Sequence, residues 1–246
     1  MKKYLIIILV IVFCQVSAHS QFLKNTSFAL GLSTSQILGN NPAGKPIVST
    51  GDADPAVIGG GFFGAQPGID FRVTIPIDKE LRWRIPIGLD YQFFSAKERI
   101  PTGKNLEVRL RHSLINVSPY VGISYVLQNL EMIKAKTYAS LEARASFINN
   151  INYEREHDYL NSNDLDTTLH EISKSNATRY GGLMRVGVES FLFYPVQINA
   201  SVGLSVMNLL GRDNARYELL TPTKFMEVHE SFIWNLNFSI MFQYTF

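Results

Sequence analysis

Residues 232–246 read FIWNLNFSIMFQYTF, and every even position among them is apolar: Phe232, Trp234, Leu236, Phe238, Ile240, Phe242, Tyr244 and Phe246. Asn235, Asn237, Ser239, Gln243 and Thr245 stand between them, with Ile233 and Met241 as exceptions. A period of two held over 15 residues describes a strand with one apolar and one polar face. Strands of soluble proteins run to about 5–6 residues, so this length needs an external reason. Crossing a bilayer at a tilt supplies one, since a membrane strand takes about 9–11 residues.

The same alternation recurs upstream. Leu81, Trp83, Ile85, Ile87, Leu89, Tyr91 and Phe93 alternate with Arg82, Arg84, Asp90 and Gln92. Ile115 to Leu127 repeats the pattern at odd positions against Asn116, Ser118, Tyr120 and Ser124. With weaker stretches added, eight strands are predicted, at 26–35, 67–77, 81–94, 113–127, 136–148, 179–192, 196–207 and 231–246. Connections alternate in length: short around 78–80, 128–135 and 193–195, long at 36–66, 95–112, 149–178 and 208–230. Short turns at one end and long loops at the other mark an antiparallel transmembrane barrel, with the loops outside the cell. The fold class is therefore all-β, a single closed barrel of about eight strands.

In lipid every backbone polar group must pair internally, so the sheet closes and its apolar face points outward. An arginine facing lipid at the midplane would cost about 2–4 kcal/mol. Arg72, Arg82, Arg84, Arg144 and Arg185 fall on the polar face, as do Asp70, Asp90, Glu142 and Glu189. These nine are expected to pair in the lumen. An eight-stranded barrel is only wide enough for side chains to fill it, so the expected interior is plugged and the charges compensate one another. Aromatics gather near strand ends at two levels, Trp83, Tyr125, Phe193, Tyr194, Phe242 and Tyr244 at one and Tyr91, Phe93, Tyr180 and Trp234 at the other, as interfacial girdles do.

The chain opens with Lys2 and Lys3, an apolar run from Tyr4 to Phe13, and small residues at Ser17 and Ala18. That is the pattern of a secretory signal peptide, expected to be removed over 1–20 and to leave a barrel domain at 21–246. Cys14, the one cysteine, leaves with it, so disulfides have no role. Without Lys2 and Lys3 the chain carries 21 basic and 21 acidic residues. A nucleic-acid surface would show a basic excess, and none is expected.

Several motifs imitate chemistry. Gly39-Asn40-Asn41-Pro42-Ala43-Gly44-Lys45 approaches a phosphate-binding loop, but Pro46 stands where Ser or Thr should hold magnesium and no helix is predicted after it. Gly59-Gly60-Gly61-Phe62-Phe63-Gly64 contains G-x-G-x-x-G without the βαβ context; its glycines read as relief of strand strain or a bulge. The acidic run 158–166 lacks the glycine and terminal glutamate of a calcium loop. His112, His157, His170 and His229 show no zinc spacing. No metal, cofactor or catalytic residue is assigned.

The signal ending at Ser20-Gln21, the eight-strand layout and the terminal Met241-Phe242-Gln243-Tyr244-Thr245-Phe246 resemble the small outer-membrane barrels typified by OmpA and OmpX, especially those of the Bacteroidetes. The resemblance implies an outer-membrane protein in contact with membrane lipid and lipopolysaccharide. It implies that Phe242, Tyr244 and Phe246 form a signal read by the barrel-assembly machinery. Some Bacteroidetes barrels of this size belong to the PorT group of a secretion system, though no motif here singles that group out. The expected role is non-enzymatic, structural or partner-binding through the outer loops. The alternatives are a rim enzyme acting on lipid A or peptides, with His112, His170 or His229 near Ser113, Asp158 or Glu230, or a narrow pore.

Overall fold

The computed structural model describes residues 25–50, 56–101, 106–159, 167–213, 218–222 and 230–246. Its strands are β1 (Ser27–Ile37), β2 (Val48–Thr50), β3 (Ala56–Ile58), β4 (Gln66–Pro76), β5 (Trp83–Pro101), β6 (Leu106–Leu130), β7 (Ala135–Tyr159), β8 (Thr167–Lys174), β9 (Ala177–Phe193), β10 (Val196–Leu210) and β11 (Trp234–Thr245). Eight of them pair antiparallel in a ring, β1–β4–β5–β6–β7–β9–β10–β11, and β11 returns to β1. The seam is paired to the last residue, where Asn25 N–H donates to the Phe246 carbonyl at 3.0 Å and Phe246 N–H to Thr26 at 3.1 Å. No barrel edge is left for water or another chain to occupy.

The alternation decides which way each side chain points. On β11, Trp234, Phe238, Ile240, Phe242 and Tyr244 face out, and Asn235, Asn237, Ser239 and Gln243 face the lumen. Met241, an exception in the sequence pattern, also points inward and is fully buried. Leu32, Leu141 and Ile240 are 71%, 67% and 62% exposed. Such residues continue around all eight strands, a far larger apolar surface than a soluble monomer shows. Hydrocarbon must cover it.

All eight predicted barrel strands are present, but three of them outrun their predicted ends. β5 continues to Pro101, β6 begins at Leu106, and β7 continues to Tyr159. The connections predicted at 95–112 and 149–178 are therefore largely strand, with β8 laid along the upper part of β7. Residues 36–66 likewise hold the β2–β3 hairpin. The reason is an inversion. Above the apolar belt the period of two persists, but the apolar residues (Phe94, Ala96, Val108, Leu110) turn inward and the polar ones (Lys97, Arg99, Arg109, Arg111) turn outward. A bulge opposite Leu114, with Asn150 at φ 52°, keeps both Ile148 and Ile151 on the inner side. The leader 1–20, residues 160–166 of the acidic run and His229 lie outside the described residues.

Candidate functional site

The lumen divides into a charged lower part and an apolar cap. At its centre Asp70 accepts from Arg72 at 3.1 Å and from Arg185 at 3.3 Å. Glu142 accepts from Arg144 at 2.7 Å and from Arg185 at 3.1 Å, and Arg144 also reaches Asp90 at 3.1 Å. Nearer the short turns, Arg84 pairs with Glu189 at 2.7 Å. All eight side chains are buried. Four arginines face four carboxylates in this group, so these eight charges cancel.

Arg82, expected in the lumen, lies instead on the turn before β5, 55% exposed, and pairs with Glu80 at 3.3 Å. The turn is set by Asp78, whose carboxylate accepts from the backbone N–H of Arg82 and of Trp83, so the strand starts one residue too late to carry Arg82 inward. A fifth arginine added to this group would outnumber its four carboxylates.

Buried charges are tolerable only when their remaining hydrogen-bonding groups are satisfied. Two tyrosines that the alternation placed on the polar face help to do this. The Tyr120 hydroxyl donates to Asp70 at 2.7 Å and accepts from Arg72 at 3.1 Å. The Tyr138 hydroxyl accepts from Arg72 at 3.2 Å and donates to Asn199 at 2.8 Å. Ser33 and Gln92 donate to Asp90 at 2.8 and 2.9 Å. Both rings need a glycine across the ladder. Gly88 is the register partner of Tyr120 and Gly187 that of Tyr138, and a Cβ at either would strike the ring, at 2.4 and 2.6 Å.

Above the charges lies an apolar core of Phe94, Leu110, Leu114, Ile148, Ile151 and Ile233, closed by Ala43, Ile47, Phe62, Leu219 and Leu220 from the outer connections. The two nucleotide-motif mimics are parts of this cap. Asn41 accepts from Ala43 N–H to start a single 3-10 turn at Pro42–Gly44, and its amide holds Ser231 and Phe232. Gly60 and Gly61 lie in no strand, so they neither relieve strand strain nor make a bulge. A Cβ on Gly60 would meet the carbonyls of Ala43 and Leu220 at 2.6 Å, and Gly61 sits at φ 73° against Ile47 and Ala96. These glycines let one connection lie flat on another.

His112 is inside the cap, not at the rim. Its Nδ1 bonds the Gly60 carbonyl at 2.8 Å and its ring lies on Phe62, centroids 4.5 Å apart, while neighbouring Ser113 faces outward. Glu230 is held by Arg179 at 2.7 Å. Burial pulls the His112 imidazole down to about 4, with Lys174 adding to the fall and the Gly60 bond opposing it. When the cap opens, the ring returns to about 6.5. The open state then binds a proton that the closed state refuses, so cap stability is complete above about pH 6.5 and declines as pH drops toward 4. Hydrogen exchange of the Gly60–Phe62 amides, corrected for intrinsic rates, should become faster between about pH 7 and 5 in the wild type. In His112→Phe this pH dependence should vanish; persistence of the full effect would assign it to another group.

Phe242, Tyr244 and Phe246 are 62%, 44% and 58% exposed on the lipid side, with Tyr244 and Phe246 edge to face at 4.9 Å. Trp83 and Tyr125 meet at 4.8 Å on one membrane level and Tyr91 and Phe93 at 4.8 Å on the other. Among the described residues no group of His, Cys, Asp or Glu could hold a metal ion.

Ring closure, a continuous apolar exterior and a compensated polar lumen define a transmembrane β-barrel. No protein-family model and no curated protein matches the chain. Among solved structures it is similar to neisserial surface protein A, at 10% identity and TM-score 0.43 over 90% of this chain and 97% of that one. It is also similar to Ail, the attachment invasion locus protein of Yersinia pestis, at 9% and 0.35 over 91% and 99%. The toluene transporter TbuX of Ralstonia pickettii is matched at 10% and 0.24 over 91% and 90%.

Proposed function

We propose that the chain is an outer-membrane protein, sealed and non-enzymatic, whose barrel holds a folded platform at the cell surface for a macromolecular partner. The observation that carries this reading is the buried apolar core at the long-connection end. Loops that served only as links would leave no such core. Here β5 to β8 rise out of the membrane as a sheet, with Ala43, Ile47, Phe62, Leu219 and Leu220 of the other connections packed in the core on its inner side. The compensated lumen beneath it supports a closed barrel over a narrow pore, and the burial of His112 supports a binding role over rim catalysis. The resemblance to small Bacteroidetes barrels adds a secretion-system component to the partners we propose, alongside a surface protein.

The experiment is thiol labelling of intact cells. Cys14 is the one native cysteine and falls in the expected leader, so introduced cysteines report alone. Lys97→Cys, on the outer face of the platform, should react with a membrane-impermeant maleimide on intact cells. Met132→Cys, in a short turn and fully exposed, should react only after the outer membrane is permeabilised. The reverse pattern, or equal labelling of both, would overturn the platform reading.

A further inference from the structure

We infer that the middle of the lumen is a binding site for an internal water, which braces three strands of the barrel across their common interior. The site is a cavity of about 20 Å³. It is lined by Asp90 and Arg144 of the ion-pair network and by Met207 of the cap core, so it lies where the two parts of the lumen meet. Below it, long arginines reach carboxylates on other strands. At its own level the inward positions carry short neutral side chains, and several of these pair off. Asn237 donates to Ser205 at 2.7 Å, Ser118 and Ser146 share a bond at 3.2 Å, and Gln92 donates to Asp90 at 2.9 Å.

Three side chains of the wall are left over. Ser35 Oγ on β1, Asn116 Oδ1 on β6 and Asn235 Oδ1 on β11 meet no hydrogen-bond partner among the described residues. These residues are 1%, 3% and 2% exposed. A buried polar group without a partner forfeits its solvation and gains nothing in return. Three such groups around one cavity are a set waiting for a shared partner.

The size and the donor count select that partner. One water needs about 10–15 Å³ and makes about three hydrogen bonds when buried. Its two hydrogens serve the two amide oxygens, and a lone pair takes the hydroxyl hydrogen of Ser35. A sodium ion would also find oxygens here. It would add an unbalanced charge beside Arg144, whose group of eight charges already cancels. An apolar occupant would leave all three oxygens unpaired. The bound water therefore does at this level what the ion pairs do below: it ties β1, β6 and β11 together through the interior.

The first test needs only the wild-type full chain, isotope-labelled and folded in detergent micelles. The side-chain amide protons of Asn116 and Asn235 should show nuclear Overhauser contact with a water that tumbles with the complex. The second test compares two variants that keep the heat-dependent gel shift of a closed barrel. Asn116→Leu fills the cavity, expels the water and strands Ser35 and Asn235. Asn116→Ala leaves room for a further water and keeps them bonded. The urea midpoint should therefore fall more in Asn116→Leu than in Asn116→Ala. A dry cavity reverses the order, because leucine would replace an unpaired amide whereas alanine would enlarge a void. Amides without contact to water, or a midpoint for Asn116→Leu at or above that of Asn116→Ala, would overturn the site. Replacing choline by sodium at constant ionic strength should leave the wild-type midpoint unchanged. A midpoint raised by sodium would make this a cation site and overturn the assignment to water.

Discussion

Replacing Glu142 by alanine is expected to destabilise the barrel by about 3–5 kcal/mol, because it strands buried arginines. Glu142 accepts from Arg144 at 2.7 Å and from Arg185 at 3.1 Å. Without it those two guanidiniums keep only Asp90 and Asp70 as counter-charges, and Asp70 is already shared with Arg72. Two carboxylates then serve three arginines at the centre of the lumen. Neither guanidinium can move to water, since the walls are a closed ladder and the apolar cap lies above. Unfolding by urea from lipid vesicles measures the loss. Trp83 and Trp234, the two tryptophans, sit lipid-facing near opposite ends of the span and report departure from the membrane by fluorescence. Glu142→Gln keeps acceptor and shape but removes the charge, and should fall between alanine and wild type. Arg82→Ala is the control. An exposed turn residue paired with another exposed side chain should leave the unfolding midpoint unchanged. A Glu142→Ala effect as small as that of Arg82→Ala would mean that water reaches the centre and the charges do not fill it.

The contrast between these arginines shows how far the sequence could be read. Alternation alone separated inward from outward positions along all eight barrel strands, because lipid tolerates no other placement of Arg72, Arg144 or Arg185. It could not say where β5 begins. Arg82 fits the alternation of β5 as well as Arg84 does; the Asp78 turn excludes it, and turn geometry lies below the resolution of a period. The upper halves of β5, β6 and β7 were missed for a related reason. An apolar-outward template fails at Phe94, where the solvent changes from hydrocarbon to water and the same pleat carries its apolar residues inward. Ala96, Val108 and Leu110, read as loop, follow that inverted pattern.

Tyr120 and Tyr138 carried a readable signal that needed the register. Each is a large aromatic on the polar face, and each has a glycine directly across the ladder, Gly88 and Gly187. An aromatic opposite a glycine is a known device for fixing register and curvature in designed sheets. With the register known, both would have joined the charge network. His112 was named as a rim candidate on residue type alone. Even positions of β6 face the lumen from Ser124 up to Val108, so it is the continuation of the strand past Ser113, read as loop, that buries His112 in the apolar core.

The cap makes the second large prediction. Phe62→Ala should cost cap closure about 3–5 kcal/mol, the range for removing a buried aromatic from a packed core. Phe62 is fully buried, edge-on to Phe94 at 5.4 Å and stacked on His112. The glycines before it are shaped to seat the segment, so neighbouring backbone cannot collapse into the space. The loss should be local. Barrel strands are held by ring closure and by lipid, whereas the connections at 39–50 and 59–64 are held by this core, and a unit with its own contacts opens on its own. In vesicles, proteinase K added outside should therefore cut Phe62→Ala within these connections while sparing the wild type, and the heat-dependent gel shift of the barrel should survive in the variant. Planar bilayers should stay silent for both proteins, because the neutral ion-pair network still fills the lumen below. Conductance in Phe62→Ala alone would make the cap the only seal and the network permeable. Equal resistance of variant and wild type to protease would show that the strand extensions hold the connections without the core. If the connections open while the lumen stays shut, the platform can rearrange around a partner without the membrane leaking.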